Sequence, residues 1–214
     1  MGRAVELKKT WREHLLDKNF RVRVGLTFFF LAIALFSLAK FLPYNETRPG
    51  FSMDDPFLDL FSPIKVTWLT FGLIYLGLII AVTSLSFYPE KLLLALQSYT
   101  VIALFRLATI YFLPLNAPAA IIPLKDPFVE FFGGGATLLR DLFFSGHTSM
   151  MFLFYLVSPN KTLKWIFLAA TFLVAGCVLV QHVHYTIDVI AAPVFAYTGY
   201  RITLLVDSYI KNLE

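Results

Sequence analysis

The sequence holds a single cysteine, Cys177, and few charges. One thiol excludes an intrachain disulfide framework and a cysteine metal site, and leaves Cys177 as a packed thiol inside an apolar run. Charged residues make up 15% of the 214 positions, and they gather between apolar runs. That pattern excludes a solvated globular surface. The formal net charge is +4, but the basic residues flank apolar segments instead of forming one basic face, so nucleic acid is excluded as a partner. Two or three histidines could bind zinc, but no HExxH spacing occurs. Neither a metal nor another cofactor is expected. No signal peptide is expected either: the first apolar run follows 23 residues carrying seven Lys/Arg, with no small-residue cleavage site after it. There is no internal repeat, low-complexity tract or second domain.

What the chain has in abundance is apolar surface. It is 58% hydrophobic and 17% aromatic, with 23 phenylalanines and a mean hydropathy of +0.71. Soluble domains lie at roughly 45–50% apolar. The composition therefore predicts an all-α integral membrane protein, with most of its length in the bilayer. Residues 1–23 read as a cytosolic tail, with Leu7, Trp11 and Leu15 at the spacing of a short interfacial amphipathic helix. A solvated tail is the alternative. Residues 24–214 read as a six-helix membrane catalytic domain. Its spans are placed at about Val24–Leu42, Ile64–Phe87, Leu92–Leu113, Ser145–Val157, Leu163–Gln181 and Ile187–Val206.

The fourth span is the odd one. It is too short to cross a hydrocarbon core of about 30 Å at about 1.5 Å per residue. His147 is therefore expected to sit recessed, with the preceding loop (Pro114–Phe144) dipping in as a re-entrant or short helical segment. Twelve Lys/Arg fall on the side of the amino terminus and five on the other, with Arg106 inside the membrane. That bias places both termini in the cytosol. It also places His147 and the stretch Gln181–Val189 together on the non-cytosolic side. Asn45-Glu46-Thr47 forms a glycosylation sequon in an external loop, relevant only in a eukaryotic secretory pathway.

Ionisable residues inside a membrane are costly and default to a functional reading. Those that stand out are His147, His184, Asp188 and Arg106. His184 and Asp188 share a helix face at i, i+4. Such a pair either caps a helix or uses the carboxylate to fix the imidazole tautomer and make a nucleophile. Ser145 is a good N-cap. The same geometry offers free amides and a positive dipole end to a phosphate, with Gly146 allowing close approach and His147 placed to donate a proton. Arg106 needs an anion, either Asp188 as a structural ion pair or a phosphate held bidentately. The Gly133–Gly135 run forms either an anion-binding nest or a flexible loop. His182, two residues before His184, is a candidate to line the site or lie on the surface.

"SGHT" (Ser145–Thr148) with "HYTIDV" (His184–Val189) resembles the sphingomyelin synthase-related branch of the type 2 phosphatidic acid phosphatase superfamily. "FRLATIY" (Phe105–Tyr111) is similar to that branch's arginine motif. The triple glycine, Asp141 and the double histidine of "HVHYTID" also look similar, over roughly residues 98–205. The general phosphatase pattern fits less well. Tyr99 stands where it has lysine, Leu107 follows Arg106, Phe144 precedes Ser145, and Cys177-Val178 replace a Ser-Arg pair.

The resemblance implies a two-step head-group phosphotransfer. His184, assisted by Asp188, attacks the phosphorus of a phospholipid donor while His147 protonates the departing diacylglycerol. A phosphohistidine forms, and ceramide or a related lipid alcohol then takes the head group. Arg106, Ser145 and Gly146 would bind the phosphate, with His182, Tyr185 and Asp141 as candidates to line the site. If water replaces the lipid alcohol, the same site is a lipid phosphate phosphatase or a phospholipase C-like hydrolase. A non-catalytic lipid-binding or transport protein is the third reading.

Overall fold

The computed structural model describes residues 10–125 and 138–213. The triple glycine at 133–135 lies outside the described residues. Seven α-helices and one short 3-10 turn (Leu58–Leu60) make up the described regular structure. They are α1 (Trp11–Leu16), α2 (Lys18–Thr47), α3 (Thr67–Leu85), α4 (Pro89–Phe112), α5 (Gly146–Val157), α6 (Lys161–Val180) and α7 (Thr186–Leu213). By length and composition, α2, α3, α4, α6 and most of α7 can each cross a membrane. The fold is therefore all-α with five long apolar helices, and α5, at 12 residues, is the short one.

Helix starts follow local chemistry. Thr10 and Glu13 form a capping box on α1. The Asp17 carboxylate accepts from the Asn19 amide at the start of α2, Pro89 occupies the first position of α4, and the Asn160 side chain caps α6. The α2 helix is continuous across residues 23 and 24, where the sequence places the boundary between tail and membrane domain. The short α1 precedes it, and Trp11 Nε1 donates to the Ser86 carbonyl at 2.5 Å. Arg23 then joins α2 to Glu90 on α4 (3.0 Å) and Asp207 on α7 (2.5 Å).

The short α5 packs against α4, α6 and α7. Met151, Phe154, Phe167, Val174 and Val178 form one core between α5 and α6. Leu153, Val157, Ile102, Ala192 and Ala196 form a second with α4 and α7. Phe144, fully buried, stacks on Phe195 with ring centroids 4.3 Å apart. This apolar collar fixes where the chain enters α5. On the opposite side, α2 is sheathed in exposed phenylalanines (Phe28, Phe29, Phe30 and Phe36), as a lipid-facing helix would be.

One sequence expectation is corrected here. Asn45 does not lie in an external loop. It is in the last turn of α2, 1% exposed, and its amide donates to the Arg140 carbonyl at 3.0 Å. The helix runs past the expected end of the span because Arg140 and Glu46 pin its last turn to the loop before α5. A glycosyl group cannot reach that amide in this fold.

The start of α7 is held from outside by Asp55. Its carboxylate accepts from the Thr186 amide at 2.6 Å and the Thr186 hydroxyl at 3.0 Å, and from the Phe57 and Leu58 amides. Burial alone would raise the Asp55 pKa, but these hydrogen bonds outweigh it and hold the group below its ordinary value. A depressed folded pKa contributes stability above the unfolded value, and that stability is lost as pH falls through the folded one. Asp55→Asn is expected to destabilise the fold by about 1 kcal/mol at pH 7, the usual worth of a helix cap. The gap between variant and wild type, followed by thermal unfolding in detergent, is expected to narrow below about pH 4.

Candidate active site

Ser145 ends the loop that leads into α5. Its hydroxyl lies 3.5 Å from the Thr148 amide and 3.1 Å from the Thr148 hydroxyl, the geometry of an N-cap. Its own amide donates to the Asp188 carbonyl at 3.1 Å. That single backbone bond fastens the start of α5 to the start of α7. The two histidine motifs, far apart in sequence, thereby meet.

At the start of α7, Asp188 occupies the third helical position, where a carboxylate reaches back to the capping amide. Its Oδ2 accepts from the Tyr185 amide at 3.0 Å and faces His184 Nδ1 at 3.4 Å. Asp188 is 0% exposed, and its Oδ1 has no hydrogen-bond partner among the described residues. A buried carboxylate beside Nδ1 favours a proton there, which leaves a lone pair on Nε2. The 3.4 Å separation is at the long end for such a bond, as is common before a ligand tightens the site.

Arg106 projects from α4 and is buried. One terminal nitrogen donates to the Phe144 carbonyl and the other to the Asp141 carboxylate. The guanidinium also lies against Gly146. A Cβ at that position would sit 2.7 Å from Arg106 Nη1 and 2.8 Å from Cζ. Glycine is thus required by close approach of a cation locked by two hydrogen bonds.

Arg106, Gly146 and His184 open on one cavity of about 580 Å³. Arg106, Asp141, Gly146, His147, Ser149 and His184 form its polar wall. Leu38 and Leu42 on α2, with Ile74, Leu78 and Ile79 on α3, form an aliphatic wall. The arrangement can take an anion next to two imidazoles and a guanidinium, with an apolar chain running between α2 and α3. Among the described residues no cluster of His, Cys, Asp or Glu could hold a metal ion.

Several expectations are placed differently. Arg106 pairs with Asp141, not Asp188, because Asp141 shares the loop that carries Phe144 and Ser145, while Asp188 is committed to Tyr185 and His184. Ser145 is absent from the cavity wall, since its hydroxyl is turned to Thr148. His182 and Tyr185 line a second cavity instead. The Tyr185 hydroxyl donates to the Asn116 carbonyl at 3.1 Å and accepts from the Met53 amide at 3.3 Å, which turns the ring away from His184.

Two contributors escaped sequence reasoning. Asp55 is separated from Thr186 by 131 positions and carries no local signal. Tyr99, read only as a departure from a pattern, lines the cavity. Seven positions before Arg106 on α4, it lies on the same helix face, a periodicity that the sequence does display.

Residues 140–204 match the family model described as PAP2 superfamily C-terminal. The match supports the PAP2 superfamily, whose members are phosphatases and phosphotransferases. It spans Asp141, Ser145–His147 and His182–Asp188, and stops short of Arg106. No curated protein and no solved structure matches the chain.

Gly146→Ala is expected to displace the Arg106 guanidinium. Protection of the protein by orthovanadate, a phosphate mimic, against thermal unfolding should then require about tenfold more ligand, the worth of one charge-assisted hydrogen bond.

Proposed function

We propose that this protein is a lipid head-group phosphotransferase of sphingomyelin synthase type. In this reading a phospho-alcohol moves from a glycerophospholipid to ceramide or a related lipid alcohol. The observation that carries it is the single cavity in which His147, His184 and Arg106 face an aliphatic wall. A site for a water-soluble phosphate has no use for that wall. The family match, which supports lipid phosphatase or phosphotransferase-type chemistry, agrees with it.

In the first step, His184 Nε2 attacks phosphorus and a P–N bond forms. The P–O bond to diacylglycerol breaks, and protonated His147 gives its proton to the departing oxygen. Asp188 holds Nδ1–H and stabilises the charge that develops on the ring. In the second step, neutral His147 takes the proton of the acceptor hydroxyl. That oxygen attacks phosphorus, the P–N bond breaks, and both histidines return to their starting states. Arg106 and the first amides of α5 face the non-bridging oxygens.

Charge favours a diester over a monoester. Among the described wall residues, Arg106 is the fixed cation and Asp141 offsets it. A phosphodiester carries one negative charge and a phosphomonoester close to two at neutral pH. The site is matched to the former. On the charge bias of the loops, it opens on the non-cytosolic side with both termini in the cytosol. A phosphatase or phospholipase C-like hydrolase on the same scaffold is the second reading, favoured by a family match that covers phosphatases and phosphotransferases alike.

Incubation of purified protein with head-group-labelled phospholipid, with and without ceramide, separates them. Ceramide-dependent transfer is expected, whereas release into water regardless of acceptor would establish the hydrolase. His147→Gln is expected to slow transfer by about 10²–10⁴-fold. A His184→Ala variant that transfers at the wild-type rate would sink the mechanism.

A further inference from the structure

Four residues of α4 reach the first cavity: Tyr99, Ile102, Ala103 and Arg106. Their spacing puts them on one helix face. Arg106 holds the polar end of the cavity with Asp141 and His184. Tyr99 lies two turns, about 10 Å, nearer the amino-terminal end of α4. Ile102 and Ala103, between the two, are apolar.

Tyr99 is half-buried. Its ring packs on the core that holds Ile102, Ala192 and Ala196. The phenol oxygen makes no hydrogen bond to a described residue, and it is not among the buried polar atoms. It therefore keeps accessible surface. That surface is not on the outside of the bundle, since burial desolvates the phenol and the charges of Arg106 and Asp141 reach it. The open space beside it is the cavity that Tyr99 lines. Ser149 lines the same cavity, but its hydroxyl is committed to the Gly146 carbonyl at 2.8 Å. A hydroxyl enclosed among apolar groups is unfavourable unless a ligand supplies a partner.

We propose that the Tyr99 phenol donates a hydrogen bond to an acyl ester carbonyl of the bound phospholipid. This rests on the reading of the cavity as a lipid phosphate site, and adds a contact below the phosphate. With the phosphate at Arg106, the next polar atoms of a glycerophospholipid are its ester oxygens, which only accept. A phenol is the matching donor. It is also neutral, so it adds no charge to a site balanced between Arg106 and Asp141. Tyr99 thereby distinguishes acyl from alkyl chains, a choice that Arg106 and the histidines cannot make.

The test is isothermal titration of the full chain in detergent with dihexanoyl phosphatidylcholine and with its dihexyl ether analogue, in a His184→Ala background that suppresses turnover. Binding, not transfer, is read. Adding Tyr99→Phe, which removes no hydrogen bond of the described fold, is expected to weaken the diacyl lipid about fivefold, the worth of one neutral hydrogen bond. The ether lipid, which has no carbonyl, is expected to stay within about twofold. An equal loss of both lipids, or no loss of either, would overturn the carbonyl contact and leave the phosphate site standing. A protein with Tyr99 intact that binds neither lipid would overturn both.

Discussion

The hydrogen bond from the Ser145 amide to the Asp188 carbonyl is the constraint on which the site depends. It joins two helix N-termini, and with them two positive dipole ends, inside an apolar bundle. Both helices need their first amides satisfied. The protein does this with side chains that also shape the candidate site. Asp188 caps its own helix and orients His184. Ser145 caps α5 and places Gly146 and His147 at the cavity edge. Capping and the geometry of the candidate site are therefore one arrangement here.

Arg106 makes this arrangement specific. A guanidinium buried in a membrane bundle requires acceptors. It finds them in the Phe144 carbonyl and the Asp141 carboxylate, which lie on the segment entering α5. Phe144, stacked on Phe195, keeps that segment from sliding. The absence of a side chain at Gly146 leaves room for the cation beside the helix start. Loop, cation and helix are thus locked together by polar contacts within an apolar collar.

Much of this was legible in the sequence because membrane helices announce themselves by composition. The short α5 was legible too, since the apolar run from Ser145 to Val157 is too brief to span. Periodicity placed His184 and Asp188 on one face. The pairing of Arg106 was not legible: the sequence offered Asp188 or a phosphate, and Asp141 meets the guanidinium only once the loop before α5 is folded. The turning away of Tyr185 was hidden as well. It depends on Asn116 and Met53, contacts between distant loops that no local pattern encodes. The sequon at Asn45 misled for a related reason: helix α2 continues because Glu46 finds partners at Leu139 and Arg140.

The central claim is that the Ser145–Asp188 junction presents His184 as a nucleophile toward a lipid phosphate beside His147. Rapid quenching of the protein with head-group-labelled phospholipid, acceptor omitted, tests it most directly. The account predicts label bound covalently to His184 through nitrogen, lost in acid and retained in alkali, and chased from the protein when ceramide is added. Formation of the transferred product with no label passing through the protein would contradict it.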